Sequence, residues 1–251
     1  MSASERWARA SSAWRTAVSS VVAHEAVPEL ADLGFHAFTT TRDAGSFNVM
    51  AQEPAADVMA RWYGLIDYIG RWAPRFATAR QVHGAVVHRH EGGWAGWLRA
   101  LEGDGHFAAR PGFAMAVTVA DCVPVFIAHP AGAAAMIHAG WRGTAAGILG
   151  QGLACFREAG LDPGDLAVHL GPSICGSCYE VGPDVYQELT GRPVDRPTCA
   201  DLRALLAAQA ETLGVRRVST SPWCTRCHND RFFSHRCGDP GRQLGVIVAN
   251  G

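Results

Sequence analysis

Two neighbouring stretches of this chain are apolar through their whole length instead of alternating between apolar and polar residues. The stretch "FAMAVTVADCVPVFIAHP" (113–130) has two such strands, separated near Asp121 and Cys122, and "AAAMIHAG" (133–140) has a third. A strand of this kind is typical of a sheet that is covered on both faces. Because predicted helices are interspersed with predicted strands, we expect a fold of mixed α and β elements with at least one fully covered sheet.

Local patterns predict the other elements. Apolar residues at helical spacing predict a helix over 53–73, and a second helix is predicted over 141–160, where it ends at a glycine. Residues 77–90 are predicted as a strand. The stretch 91–112 is rich in glycine and tryptophan and is predicted as a loop.

The chain has 251 residues, enough for one large domain or two small ones. No internal repeat, low-complexity tract or long polar linker divides it, so we expect one domain over residues 31–251. Residues 1–30 are expected to form a leader or surface segment, because they lack the apolar region and cleavage site of a secretory signal. Eight scattered cysteines fit a reducing compartment, and a cytoplasmic location is expected.

The basic residues are all arginine, and their number nearly equals that of the acidic residues. The counts are 22 and 23, for a formal net charge of -1. This balance gives no attraction to nucleic acid or to an anionic membrane, and no apolar stretch reaches the roughly 20 residues that span a bilayer. The lack of lysine excludes Schiff-base chemistry and a P-loop. The expected partners are small molecules.

His83, Cys122 and His138 each stand at or near the end of a predicted strand, in a turn-like stretch. Two imidazoles and a thiolate suit zinc, and three protein ligands leave a fourth position open, as in catalytic sites. With 11 His and eight Cys in the chain, a hydrogen-bonded core histidine is the alternative. A second alternative is a nucleophilic Cys122 activated by one of the two histidines.

The stretch "HAGWRGTAAG" (138–147) places glycines where a strand is predicted to turn into a helix. Backbone amides at such a turn can bind an anion, and Arg142 can add a bidentate contact to phosphate or carboxylate. The alternative is a tight turn with a solvated arginine.

Two C-x-x-C pairs, Cys175 with Cys178 and Cys224 with Cys227, raise the possibility of a four-thiolate zinc site. Their separation exceeds the usual spacing of such sites, so thiols without a ligand role are expected. Cys227-His228 also completes a C-x-x-C-H haem-attachment pattern, which normally needs export.

Five motifs in order along the chain resemble landmarks of the YfiH-like or laccase-domain family. They cover most of the sequence from about Phe35 to the end. The motifs are Gln81-Val82-His83, Ala120-Asp121-Cys122-Val123-Pro124, His138-Ala139-Gly140-Trp141-Arg142-Gly143, Gly171-Pro172-Ser173-Ile174 followed by Tyr179-Glu180-Val181, and Cys224-Thr225 followed by Phe233-Ser234-His235-Arg236.

The resemblance implies an α+β fold, a single-domain layered α/β/β/α sandwich with mixed sheets, so that residues 31–251 would form a YfiH-like catalytic domain. It also implies a zinc ion on His83, Cys122 and His138, with copper as the alternative metal. Family members are described as purine nucleoside phosphorylases that act on adenosine, inosine and methylthioadenosine and also deaminate adenosine. Purine nucleosides and phosphate are therefore the expected ligands.

The chain departs from the family in its N-terminal loop. The usual Thr-Arg-x-Gly-Gly-x-Ser loop and its following Asn are matched by a shortened segment, 41–48, with Ala44 in place of one glycine. Substrate specificity therefore transfers less directly than metal binding.

Asp104 and Asp121 are candidates to orient a metal-bound histidine or to transfer a proton, and a turn-capping role is the alternative for Asp121. The expected substrate contacts are Arg42, Ser46, Asn48, Gln81, Asp104 and Arg142, and the expected catalytic residues are His83, Cys122, His138 and Asp121.

Three other functions compete with a zinc-dependent phosphorylase. A cysteine hydrolase would use Cys122 with a histidine partner. A copper-dependent polyphenol oxidase usually needs paired H-x-H motifs, and the chain offers only His88-Arg89-His90. A nucleotide-binding scaffold would hold its ligand without turnover. The motifs do not indicate an oligomeric state.

Overall fold

The computed structural model describes residues 22–250, which form two six-stranded sheets and a small two-stranded one, together with helices. The predicted α+β fold with mixed sheets is confirmed. The strands are β1 (His24–Ala26), β2 (Phe35–Thr40), β3 (Arg75–Arg80), β4 (Val87–Arg89), β5 (Gly96–Glu102), β6 (Gly105–Ala108), β7 (Phe113–Val119), β8 (Val123–Ala128), β9 (Ala134–Ala139), β10 (Ala167–Leu170), β11 (Glu180–Val181), β12 (Thr198–Cys199), β13 (Arg217–Thr220) and β14 (Gln243–Ala249). The α-helices are α1 (Ala55–Ile69), α2 (Trp141–Ala145), α3 (Ile148–Glu158), α4 (Pro183–Thr190) and α5 (Leu202–Thr212), and 3-10 helices span Pro28–Leu33, Arg42–Ala44 and Pro163–Asp165.

The first sheet has the strand order β1-β2-β14-β7-β3-β5. Its first four strands pair antiparallel, whereas β3 lies parallel to both β7 and β5. The second sheet has the order β13-β10-β8-β9-β6-β4, with parallel pairs only at its two ends, β13 with β10 and β6 with β4. Strands β11 and β12 form a separate antiparallel pair.

The two large sheets pack face to face, and helices cover their outer faces. Within β7, Met115 and Val117 point into the core between the sheets, while Ala114 and Ala116 belong to the core under α1. Both faces of this strand are therefore buried, which explains why its sequence does not alternate. On the far side, α3 and α5 cover the second sheet, and the layers run α/β/β/α.

The folded unit begins before residue 31. Strand β1 pairs with β2, and Leu30 is completely buried in the core between the sheets. Residues 24–30 are thus part of the fold instead of a leader or surface segment, because they extend the first sheet and close its end. Residues 1–21, which hold the rest of that predicted segment, lie outside the described residues. The single domain stays a prediction.

Three local predictions are wrong. The Gly/Trp-rich stretch contains β5 and β6, and the strand predicted over 77–90 is two strands in different sheets, joined by the turn that carries His83. The helix predicted over 141–160 is two helices, separated at Gly147, whose φ of 76° is left-handed. A left-handed residue interrupts helical hydrogen bonding, and glycine adopts that conformation without strain.

Within residues 22–250, none of the helices combines the length and the apolar character needed to cross a bilayer.

Candidate metal centre

His83, Cys122 and His138 lie together where strands of both large sheets end. His83 is in the turn after β3, Cys122 lies between β7 and β8, and His138 is in β9. One ligand atom from each lies within 4.8 Å of the others. The two imidazole rings meet edge to face, with centroids 4.8 Å apart. His83 is exposed, Cys122 half-buried and His138 buried, so the three donors lie at the floor and rim of a surface site.

The turns beside two of the donors have unusual backbone conformations. His83 has a φ of 60° and Asp121, which precedes Cys122, has a φ of 80°. These are the non-glycine residues with positive φ among the residues described, and such conformations cost free energy for an L-residue. The surrounding hydrogen bonds must therefore hold both turns in place.

Asp104 holds the His83 turn. Its buried carboxylate accepts hydrogen bonds from the backbone N–H groups of Val82 (3.1 Å), His83 (2.9 Å) and Gly84 (2.8 Å). The same carboxylate accepts a hydrogen bond from Nδ1 of His138 at 2.8 Å. This contact leaves Nε2 of His138 free for a metal and fixes the plane of the ring. Asp104 is therefore placed to orient the ring of His138, and its side chain is completely buried.

Gly140 provides the space in which the donors meet. A Cβ atom on this residue would lie 3.0 Å from Sγ of Cys122 and 3.1 Å from Cδ2 of His83. Its φ of -80° is accessible to any residue, so glycine is needed here for close approach and not for its backbone conformation.

The metal-free donors polarise one another. Burial opposes ionisation of Cys122, but the charge and hydrogen bonds of His138 and His83 outweigh burial and lower the pKa of the thiol to about 6. Burial also opposes protonation of His138, but the Cys122 thiolate and Asp104 outweigh it and raise its pKa to about 9. Hydrogen bonds from His138 and from backbone amides likewise outweigh burial at Asp104 and lower its pKa.

These residues fit a transition-metal ion. The donor set is two imidazoles and one thiolate, which suits zinc or copper, and the three side chains leave an open position. The Asp104 carboxylate that orients His138 is the outer partner usual for metal-bound histidine. The chain therefore has a three-residue site that can hold a metal ion.

Asp121 connects the turn before Cys122 to the segment between β13 and β14 through hydrogen bonds. Its Oδ1 accepts a hydrogen bond from the Thr225 hydroxyl at 2.6 Å, and its Oδ2 accepts one from the backbone N–H of Arg236 at 2.7 Å. The buried carboxylate thus fixes the left-handed turn before Cys122. This arrangement favours the turn-fixing alternative over proton transfer.

Four of the predicted substrate contacts are engaged in holding the structure together. The amide of Gln81 pairs with Thr118 through three hydrogen bonds. Arg42 donates to the carbonyl of Asn229 and forms an ion pair of 2.7 Å with Asp239. The hydroxyl of Ser46 accepts hydrogen bonds from the backbone N–H groups of Asn48 and Arg242. The side-chain amide of Asn48 donates to the carbonyl of Pro240.

Arg142 lies differently from Arg42. It is exposed at the start of α2, with its guanidinium carbon 4.2 Å from the centre of the Trp141 ring. The helix that follows Gly140 is only five residues long, so an anion at this turn would gain more from the charge of the Arg142 side chain than from the helix N-terminus.

Tyr179 was not among the candidate site residues, although it lies near Cys122. Burial, reinforced by the nearby Cys122, raises the pKa of its hydroxyl to about 12. The guanidinium of Arg236 lies 5.3 Å from the centre of its ring. The hydroxyl of the tyrosine therefore stays protonated at neutral pH and can donate a hydrogen bond. Its presence in a family motif was the only signal for it in the sequence.

The H-x-H pair does not contribute to the site. His90 is buried and its Nε2 lies 3.0 Å from Nδ1 of His106, whereas His88 lies against the carbonyl of Glu102. Within residues 22–250, the groups with metal-binding geometry are the three-residue site and one cluster of four cysteines. Neither group contains these histidines.

An open groove of about 730 Å³ lies elsewhere, beside α4 and α5. None of the three donor residues lines it.

Comparison with known proteins agrees with this architecture. Residues 37–250 match a family model described as multi-copper polyphenol oxidoreductase laccase. The chain is 36% identical over 183 residues to a purine nucleoside phosphorylase of Streptomyces coelicolor, an alignment covering 69% of this chain and 74% of that protein. It is 33% identical over 226 residues to a purine nucleoside phosphorylase of Corynebacterium glutamicum, covering 83% and 92%.

Solved structures have the same fold. YlmD from Geobacillus stearothermophilus superimposes with a TM-score of 0.80 at 28% identity, over 90% of this chain and 94% of that chain. The hypothetical protein YfiH of Bacillus licheniformis superimposes with a TM-score of 0.81 at 23% identity, over 92% and 97%. The predicted resemblance is confirmed, and the chain belongs to the laccase-domain family that includes the YfiH and YlmD structures.

Proposed function

We propose that the protein is a zinc-dependent purine nucleoside phosphorylase. The observation that carries the proposal is the convergence of His83, Cys122 and His138 within 4.8 Å, in a chain whose relatives are named purine nucleoside phosphorylases. Adenosine, inosine and methylthioadenosine are the proposed nucleosides. The location is proposed to be cytoplasmic, where nucleosides and phosphate are both present.

In the proposed reaction, a phosphate oxygen bonds to the ribose C1′ while the bond from C1′ to the purine nitrogen breaks. The purine leaves with the electron pair and takes up a proton, and the products are ribose 1-phosphate and the free base. Bound zinc would supply a Lewis acid that stabilises negative charge on an oxygen ligand.

The residues of the chain supply positioning and charge. Asp104 holds both imidazoles in place, one through Nδ1 of His138 and the other through the backbone of the His83 turn. Arg142 is the residue proposed to bind phosphate, because its guanidinium is exposed while that of Arg42 is paired with Asp239. Tyr179 remains protonated at neutral pH, since its pKa is raised to about 12, and it can donate a hydrogen bond to the substrate.

Deamination of adenosine is proposed as a second reaction of the same site. Water adds at the purine carbon that bears the amino group, and ammonia leaves to give inosine. A zinc site with an open position is the usual arrangement for this chemistry in nucleobase deaminases.

A cysteine hydrolase is the second candidate, and the lowered pKa of Cys122 favours it. A thiolate beside two imidazoles is a competent nucleophile. The two candidates differ in their need for metal, because an essential zinc site fails after chelation whereas a thiol nucleophile fails after alkylation and survives chelation.

The test is release of hypoxanthine from inosine by zinc-loaded protein, measured with and without phosphate. We expect release that depends on phosphate, yields ribose 1-phosphate and is lost in Cys122→Ala. Cys199→Ala is the matched control, because Cys199 is exposed and lies outside the three-residue site. Release that persists without phosphate and after chelation would favour the hydrolase. Tight nucleoside binding with no product from zinc-loaded protein would identify a scaffold and contradict the proposal.

A further inference from the structure

The second cluster of potential metal ligands consists of Cys175, Cys178, Cys224 and Cys227. One sulfur from each lies within 4.8 Å of all the others. The long separation of the two C-x-x-C pairs in sequence made a shared site unexpected. The fold removes that objection, because it brings the pairs side by side.

The pairing of two parallel strands explains this placement. β10 and β13 are parallel neighbours, with Leu170 opposite Thr220. The chain leaves both strands in the same direction, and an isolated bridge between Ser173 and Cys224 continues the pairing beyond them. Each C-x-x-C pair follows its strand at nearly the same distance, so the two pairs reach the same level.

Each pair is folded into a tight turn that presents both sulfurs to one side. The backbone N–H of Cys178 donates to the carbonyl of Cys175 at 3.0 Å, and the N–H of His228 donates to the carbonyl of Cys224 at 2.9 Å. This turn at a C-x-x-C spacing is how structural zinc sites obtain two ligands from one short segment.

The sulfur spacing suits a tetrahedral ion. Four thiolates at about 2.3 Å from a zinc ion would lie roughly 3.8 Å from one another. Sγ of Cys178 lies 3.4 Å from Sγ of Cys227, and the other separations do not exceed 4.8 Å. Small side-chain rotations are therefore enough to place all four sulfurs around one ion.

Backbone amides already point at one of these sulfurs. Sγ of the buried Cys224 accepts hydrogen bonds from the N–H groups of Cys175 (3.3 Å) and Cys227 (3.4 Å). Such bonds offset the negative charge of a metal-bound thiolate. Arg226, placed between the two cysteines of its pair, adds a cation by donating to the carbonyl of Cys178 at 3.4 Å.

We propose that Cys175, Cys178, Cys224 and Cys227 bind a structural zinc ion that clamps together the segments following β10 and β13. Both segments contact Asp121, since the N–H of Ile174 donates to its carbonyl at 3.1 Å and the Thr225 hydroxyl donates to its carboxylate. Asp121 directly precedes Cys122. The second ion would thus fix the loop that carries one donor of the three-residue site.

The experiment measures zinc in full-length protein that is expressed with zinc and purified anaerobically under mild reductant. Cys122→Ser disables the three-residue site, so its remaining zinc reports the four-cysteine cluster. We expect this variant to retain one equivalent of zinc. Adding Cys175→Ser and Cys178→Ser should remove that equivalent, whereas adding Cys199→Ser, a nearby exposed thiol, should leave it in place.

A spectroscopic measurement covers the case in which the multiple variant fails to fold. Cobalt bound to Cys122→Ser should show the thiolate charge-transfer bands and the strong visible bands of a tetrahedral four-sulfur site. Zinc addition should abolish these bands. The proposal is overturned if folded Cys122→Ser binds neither metal, or if the reduced preparation contains a disulfide between Cys178 and Cys227.

Discussion

Nδ1 of His138 lies 2.8 Å from Oδ1 of Asp104, and both side chains are buried. The same carboxylate holds the turn of His83 through three backbone hydrogen bonds. One acidic residue from the segment between β5 and β6 therefore positions two of the three donors. Loss of its charge should affect the metal site even though Asp104 itself is not a predicted ligand.

Asp104→Asn should lower zinc affinity by about 10- to 100-fold, the range typical for loss of an outer carboxylate partner. The asparagine side chain keeps the shape of aspartate, but its NH2 group would replace an oxygen that accepts hydrogen bonds from backbone N–H groups of the His83 turn. Competition with a chromophoric chelator measures the affinity. Glu102→Gln is the matched control, because Glu102 pairs with Arg80 at the exposed surface. Equal affinities in the two variants would contradict the orienting role.

Gly140→Ala should weaken zinc binding through steric pressure on Cys122 and His83. The added methyl would lie 3.0 Å from the sulfur, so the donors must move apart to accommodate it. Gly182→Ala is a suitable control, since Gly182 also precedes a helix in extended conformation and has nothing within 4 Å of its Cβ position. Competition with a chromophoric chelator should show at least a tenfold loss of zinc affinity in Gly140→Ala and no loss in Gly182→Ala. Unchanged affinity would show that the site does not need this close approach.

In the metal-free protein, Cys122 should react with iodoacetamide as a thiolate down to about pH 6. Burial opposes ionisation, but His138 and His83 outweigh it and lower the thiol pKa from 9.0 to about 6. Because the pKa is lowered, the thiolate is present above pH 6 and is lost as the pH falls below it. The rate should therefore be nearly constant from neutral to alkaline pH. Peptide mass spectrometry measures the rate at this cysteine alone.

The variant His138→Gln tests whether His138 causes the lowered pKa of Cys122. Glutamine keeps hydrogen-bonding capacity but cannot carry the positive charge that stabilises the thiolate. The midpoint of the alkylation profile should move upward in the variant. A wild-type midpoint near 9, or the same midpoint in both proteins, would contradict the coupling between Cys122 and His138.

Arg142→Ala should raise the KM for phosphate about 10- to 100-fold, because hydrogen bonds to a charged partner contribute about 1.5–3 kcal/mol. Its exposed position predicts little change in the free energy of unfolding. Arg42→Ala should lower the free energy of unfolding and leave the KM for phosphate nearly unchanged. The reason is that this variant loses the ion pair with Asp239 and the hydrogen bonds to two loop carbonyls. Steady-state kinetics and denaturant unfolding of both variants separate the roles. A normal phosphate KM in Arg142→Ala would assign phosphate binding to other residues.

The layered architecture was predictable because burial leaves a strong pattern in the sequence. β7 and β8 are apolar on both faces since one face meets the other sheet and the opposite face meets helices. β5 and β13 lie at sheet edges and have many exposed residues. Their mixed composition is the physical reason that the patterns did not identify them.

The donors of the metal site could be named from residue type and family motif, whereas the roles of their neighbours could not. The sequence offers Arg142, and secondarily Arg42, as residues that could bind an anion, and only tertiary contacts show that Arg42 is paired. The meeting of the two C-x-x-C pairs depends on parallel pairing of β10 with β13, and β13 itself had no clear sequence signal.

The most direct test of the central claim is an anomalous difference map from crystals of zinc-loaded protein, recorded on both sides of the zinc absorption edge. We predict a peak bonded to Sγ of Cys122 at about 2.3 Å and to ring nitrogens of His83 and His138 at about 2.0–2.1 Å. A map with no peak among these three side chains, from crystals whose fluorescence shows zinc, would contradict the account.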